Sequence, residues 1–390
     1  MSTSDPWRPR FSRRFLTALM LAVMATVLLL SRLPNTPPKG APPIATPKVT
    51  SPASWLPAHA QWQHRSGAQV LWVQAEHLPM VDIRLDFPLP PAKEEMQPNC
   101  WILVHLMQSL AQDPPAAWHR LGAQTRYGCG PQSAWLGIRL IMDPRELDAV
   151  VEHIANRLAE PEWSQPVLAD ARTRWVADRA GPIALAAGHA PAGVPADPST
   201  LARRHARDFA PHSASLTLLG ALNESGANKL ADRLWPVPLN TPPAPTHRRL
   251  DPRPRCGEIG RIPEPDTSML LAVWLGVEWL RMRGFEVQLR RDVGGLVLVA
   301  PSGADAQAAL PIAGRASPME LDKVRVQLQS RLMARLSSHE ALLDFFAAAH
   351  RDGHDLEVLT GTWAGIDPTQ VQTALAQAID QAVPTAGKCL

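Results

Sequence analysis

The sequence predicts an α+β protein of two domains, each an antiparallel-rich sheet backed by helices. Three observations predict it. Strand-like pairs alternate with helical pairs between residues 58 and 245, so each apolar strand face is followed by a helix able to cover it. A helix–strand–helix unit occupies Leu201 to Trp235: a helical stretch ends at Phe209, Ala210-Pro211-His212 stops it, Ser215–Leu219 reads as a buried strand closed by Gly220, and Asn223-Glu224 opens the next helix. A Pro- and Arg-rich stretch, Thr241 to Arg261, then separates this half from a second set of helices and strands.

Composition sets the outer bounds. A chain of 390 residues with 45% apolar content is ample for one or two cores. A net charge of +3 gives no argument for nucleic acid. Thirteen Trp against one Tyr has no physical account here. The cysteines, Cys100, Cys129, Cys256 and Cys389, show no paired metal spacing. In an exported domain Cys100 and Cys129 could join; two buried free thiols fit the sequence equally well.

Arg8, Arg10, Arg13 and Arg14 precede an uncharged run, Phe15 to Leu30, with Phe15, Leu16, Leu19, Leu21, Val27 and Leu30 as its apolar anchors. At 1.5 Å per residue the run spans roughly 24 Å, and snorkelling by Arg14 and Arg32 extends its reach. Residues 1–32 therefore read as an uncleaved membrane anchor, with a cleaved signal peptide as the alternative. The arginine excess on the N-terminal side places that end in the cytoplasm of a bacterial cell and the globular part in the periplasm. Residues 33–57 are Pro-rich and read as a tether.

In the first domain, 58–245, Ala68–Gln74 is a strand, and Val81, Ile83, Leu85 and Phe87 alternate with Asp82, Arg84 and Asp86 in a second strand with one wet face. The two are expected to form a hairpin. Pro88–Pro98 reads as a loop, the stretch around Trp101–Leu110 as the helix covering the hairpin, and Ala116–Leu121 as a short helix ended by Gly122. Strands follow at Ala123–Tyr127 and Ser133–Ile141, helices at Pro144–Leu158 and Ser164–Arg179, and a long loop at Gly181–Pro198.

The second domain, 246–390, opens on the Thr241–Arg261 linker. It continues with helices at Ser268–Met282, Pro318–Leu336, Ser338–Ala349 and Pro368–Val383, and strands at Phe285–Leu289 and Leu296–Ala300. His350-Arg-Asp-Gly-His354 has metal-like residue types, but Gly353 breaks the helix, and a solvated loop is the expectation.

The Leu201–Trp235 layout, the turn Glu76-His-Leu-Pro-Met-Val-Asp-Ile-Arg-Leu-Asp-Phe87 and the Arg157-Leu-Ala-Glu-Pro-Glu-Trp163 helix junction, taken with the order ββ-α-α-ββ-α-α-loop-α-β-α, resemble one domain of the pitrilysin/insulinase-type zinc peptidases. The resemblance implies two insulinase-like α+β sandwich domains, the second shortened. It also exposes what is missing. Active members carry His-x-x-Glu-His on the covering helix: two His bind zinc and the Glu serves as general base. If His105 takes the second His position, the first falls on Trp101 and the Glu on Val104, with Asp178 as the nearest candidate for the later carboxylate. The resemblance therefore implies no catalytic residue and no metal site, with His105 and Asp178 as remnants. In the second domain the family's substrate clamp, an Arg followed by Gly-Leu-x-Tyr, matches Arg290 and Arg291 with Gly295-Leu296, but Leu298 stands at the Tyr position.

The functional expectation is a catalytically inactive, membrane-tethered homologue. It binds polypeptide or forms a heterodimer with an active insulinase-type peptidase, with no cofactor and no nucleic acid. The alternatives are a zinc endopeptidase with a degenerate site built on His105 and a stand-alone envelope scaffold.

Overall fold

The computed structural model describes residues 56–75, 79–88, 93–129, 133–159, a few positions between 161 and 173, 198–236, 258–263, 265–292, 295–300, 316–361, 363 and 366–380. The expected anchor (1–32), the tether to residue 55, most of the helix expected at Ser164–Arg179, the Gly181–Pro198 loop up to residue 197, and the end of the chain beyond 380 lie outside the described residues. Among the described residues no helix is long and apolar enough to cross a membrane.

Six strands form the first sheet: β1 (His59–Gln63), β2 (Gln69–Gln74), β3 (Met80–Pro88), β4 (Gln124–Cys129), β5 (Ser133–Ile141) and β6 (Ser215–Gly220). Their order is β1-β2-β6-β3-β5-β4. This corrects the expected hairpin: β2 and β3 do not pair. Strand β6 lies between them, parallel to β2 and antiparallel to β3. The reason is burial on both faces. Leu216 and Leu218 of β6 point into one core and Leu219 into the other, and such a strand belongs at the centre of a sheet. Gly220 allows the insertion. A Cβ there would lie 2.1 Å from the Met80 carbonyl oxygen, which accepts from the Ala221 N–H. Strand β1 was not foreseen; it pairs antiparallel with β2.

One face of this sheet carries α1 (Lys93–Ala111), α2 (Ala116–Arg120), α3 (Pro144–Ala159), α4 (Pro198–Asp208) and α5 (Glu224–Leu234). Helix α1 begins at Lys93, inside the stretch expected to be loop. Its Ile102, Leu103, Leu106 and Leu110 meet Val81, Ile83, Leu85 and Phe87 of β3 in one apolar cluster, the cover the strand requires. Helix α5 starts where the sequence placed it: Asn223 Oδ1 accepts from the Gly226 N–H at 2.8 Å.

The second part holds a three-stranded antiparallel sheet, β7 (Glu258–Pro263), β8 (Gln288–Asp292) and β9 (Gly295–Val299), in the order β7-β9-β8. Its helices are α6 (Thr267–Met282), α7 (Pro318–Arg335), α8 (His339–Arg351), α9 (Leu356–Gly361) and α10 (Pro368–Asp380). The expected linker therefore ends before Glu258: Ile259 and Ile262 are core residues, and Arg261 is neutralised in place by Glu258 at 2.7 Å. Strand β8 starts three residues later than expected. Helix α6 ends in a turn at Arg283-Gly284, with Phe285 N–H bonded back to the Leu280 carbonyl and Val287 buried before the strand begins. Helix α7 starts with a full capping box of Ser317 and Glu320, a signal present in the sequence.

The opposite face of the first sheet is not wet, as β3's alternation predicts, but covered by the second part of the chain. Leu71 and Val73 of β2 and Leu219 of β6 share a core with Leu271, Phe346 and Trp363, and α8 lies across β3 and β6. The His350–His354 segment is corrected for the same reason. It is no solvated loop: His350 closes α8 against the sheet, and His354 is buried.

Candidate functional site

The face of α1 on which the resemblance would place a zinc motif carries Trp101, Val104, His105 and Gln108, spaced to share one side of the helix. All four are buried. Trp101 and Val104 form a small apolar cluster with Cys100 and Ala171, flanked by Tyr127 and Cys129. Cys100 and Cys129 are joined as a disulfide, with their Cα atoms 5.5 Å apart, which resolves the alternative left open by the sequence. Gln108 Nε2 donates to Asp170 Oδ2 at 2.7 Å. Asn99, on the preceding turn, is fully buried, and neither end of its amide has a hydrogen-bond partner among the described residues.

His105 is fully buried beneath the Trp163 ring, 4.8 Å between centroids. His205 of α4 also meets that indole, at 5.6 Å between centroids, and stacks on Phe209 at 6.0 Å. The two imidazoles are near enough for the charge of one to oppose that of the other. The pKa of His205 is pushed down to about 4, first by burial and then by His105, against a bond to the Leu158 backbone that works the other way. His205 is therefore neutral at pH 7. Its Nε2 has no hydrogen-bond partner among the described residues. The sequence assigns no site role to Trp163, which enters only as the end of the Arg157–Trp163 junction, or to His205 in the last turn of its helix.

Zinc does not fit these residues. A zinc site of the insulinase kind needs a second imidazole one turn before His105 and a carboxylate beside it; those positions hold an indole and an isopropyl group packed in a dry cluster. Among the described residues no three His, Cys, Asp or Glu side chains converge to hold a metal. Asp178 lies outside the described residues. Arg290 is exposed on β8, where its Nη2 donates to Gln288 Oε1 at 3.1 Å, while Leu298 is buried in β9 opposite Leu289. Arg291 pairs with Leu296 through its backbone; its side chain is outside the described residues.

No family model matches this sequence, and no curated protein does either. Solved structures do match. An inactive peptidase M16 domain from Pseudomonas fluorescens superposes with a TM-score of 0.60 at 17% identity, covering 82% of this chain and 95% of that one. The fold is that of an M16 peptidase domain. The structural neighbours also include the periplasmic protease PqqL of Escherichia coli, with a TM-score of 0.55 at 13% identity over 82% of this chain. The ferredoxin protease FusC, solved as a point mutant in complex with Arabidopsis ferredoxin, matches at 0.53 and 12% identity over 83% of this chain. This chain spans about half of each of those two proteins, 46% in both cases. The insulinase-type resemblance drawn from the sequence thus holds at the level of the fold.

The second polar cluster of the molecule lies on the opposite side of the sheet, and the sequence reading missed it. Asp82, Arg84 and Asp86 of β3 are at most 4% exposed. Arg139 holds Asp82 with Nε at 3.0 Å and Nη2 at 3.2 Å; Arg126 lies 3.5 Å away, and His339 Nε2 faces the same carboxylate from α8. Arg84 grips Asp86 with Nε at 2.8 Å, lies over the Trp135 ring at 4.3 Å and reaches Asp344 of α8. Arg351, also on α8, donates to Asp86 at 3.2 Å. Burial lowers the pKa of His350 beside it, opposed by a Gln69 backbone bond and by the charge of Asp86. The signal was available as an Asp-Arg-Asp alternation, but it reads equally as a solvated strand face until a partner helix is known.

Proposed function

We propose that this chain is a non-peptidase relative of the M16 enzymes that binds polypeptide or pairs with an active peptidase of the same type. One observation carries the reading: the helix face that bears the metal ligands and general base in active members is here Trp101, Val104 and a fully buried His105, closed over by Trp163 and Ala171. A metal-bound water would lack both its ligand set and a proton acceptor. An inactive M16 domain among the structural neighbours supports such a role, as does the FusC complex with ferredoxin.

The two-part division at about residue 245, the shortened second part, the N-terminal anchor at 1–32 and the tether at 33–57 belong to the same proposal. The globular part is periplasmic, supported by the arginine bias around Phe15–Leu30 and by the periplasmic neighbour PqqL. Arg290 and Arg291 serve as polypeptide contacts on β8. The test is a pull-down of the full chain from detergent-solubilised membranes. Recovery of a chain bearing an intact His-x-x-Glu-His supports pairing; repeated absence of any such partner counts against it. Stoichiometric zinc that is lost on His105→Ala would replace the proposal with the degenerate-peptidase alternative.

A further inference from the structure

Strand β4 is the weak margin of the first sheet. Among the described residues it pairs with β5 alone, and no strand lies along its other edge; every residue in it is at least partly exposed. Its last residue, Cys129, is bonded to Cys100 in the buried core of α1. That bond is the covalent link between the edge strand and the helix face where the M16 chemistry would sit. Around it Cys100, Trp101, Val104 and Ala171 form a small buried cluster of their own, which Tyr127 and Cys129 join to the main core. We propose that Cys100–Cys129 is a redox-dependent clasp, which fixes the end of β4 to α1 when oxidised and releases it when reduced.

The chemistry follows from exposure. Cys129 is partly exposed on the edge strand and Cys100 is fully buried. The Cys129 thiolate attacks the disulfide of an oxidising partner protein, forming a mixed disulfide and releasing the first partner thiol. The Cys100 thiolate then attacks Cys129 Sγ, closing the intramolecular bond and expelling the second partner thiol. Two electrons and two protons pass to the partner, which leaves as a dithiol; a reducing partner dithiol opens the clasp by the same two exchanges in reverse and leaves as a disulfide. An oxidising envelope compartment supplies such partners, so the biological role of the clasp rests on the periplasmic reading, while its mechanics do not.

The experiment uses the full chain carrying Cys256→Ser and Cys389→Ser, so that only the two clasp sulfurs titrate. In denaturant without reductant, maleimide should label neither; after phosphine reduction it should label both. Hydrogen exchange of residues 124–129 should quicken at least tenfold on reduction, while β3 and β6 keep their protection. The Cys100→Ser/Cys129→Ser variant should reproduce the reduced state; if it fails to fold, reduced wild type supplies the comparison. Two labelled thiols before reduction, or equal exchange of β4 in both states, overturns the clasp. Trapping thiols in intact cells separates the two readings. A clasp that works in the purified protein but is reduced in the cell leaves the device standing and removes the periplasmic location.

Discussion

The two faces of the six-stranded sheet solve burial in opposite ways. On one, Val81, Ile83, Leu85 and Phe87 meet α1 in apolar contact, and the polar groups that remain, Asn99 and His205, have atoms without partners among the described residues. On the other, Asp82, Arg84 and Asp86 are just as dry, but each finds an opposite charge on the sheet or on α8. Polar groups are tolerated in a core when they are matched, and the three β3 charges are matched more fully than Asn99 and His205. The Trp101–His105 face of α1 is thus a filled region, whereas the far face is a specific charged joint between the two parts of the chain.

The contrast can be broken from either side. The largest effect should come from Val104→Glu, half of a restored zinc motif. It buries an unmatched carboxylate beside Trp101 and Ala171 and should cost several kcal/mol, roughly 4 or more, in denaturant unfolding. A folded Trp101→His/Val104→Glu protein that binds zinc stoichiometrically would show that the filled face is still a metal site.

On the charged face, Asp82→Ala strands Arg139 and His339. We expect a loss of about 3–5 kcal/mol, and proteolytic cutting near α8 should rise with it. A loss below about 1 kcal/mol would mean that α8 is held by Phe346 and its apolar neighbours alone.

His205 tests the site side through pH. Its folded pKa of about 4 lies below the ordinary 6.5, so at pH 7 both folded and unfolded forms are neutral and nothing is lost. As pH falls from 6.5 towards 4 the unfolded chain takes the proton and the folded chain does not. Stability should therefore decline over that window, by about 3 kcal/mol in all. His205→Phe should flatten that slope in urea midpoints measured between neutral pH and the folded pKa. An unchanged slope would assign the acid sensitivity elsewhere, with His350 the next candidate.

The smallest effect belongs to Ser338→Ala, which removes the N-cap of α8, an Oγ that accepts from the Ala341 N–H at 3.1 Å. About 1 kcal/mol is expected in the same unfolding assay, with no change in pH dependence.

Most local structure was legible in the sequence because it is written in short-range chemistry. Asn223, Gly122, Gly220 and the Ser133–Ile141 alternation act over a few residues, and each marks the boundary it should. The absence of a His-x-x-Glu-His run was equally readable, since a missing motif needs no coordinates to be noticed. Strand partnership was not. The close spacing of β2 and β3 argues for a hairpin, and only the double-sided burial of β6, far along the chain from both, decides otherwise.

By itself, then, the sequence determined the kinds of element, their order, the absence of a His-x-x-Glu-His run and the resemblance to insulinase-type peptidases, because caps, periods and motifs are local. Only the tertiary structure decided that Cys100 meets Cys129, that His105 and His205 both meet Trp163, and that a charged strand face is dry beneath α8. The physical reason is that burial is a property of pairs. A carboxylate on a strand looks the same in sequence whether water or an arginine lies across from it.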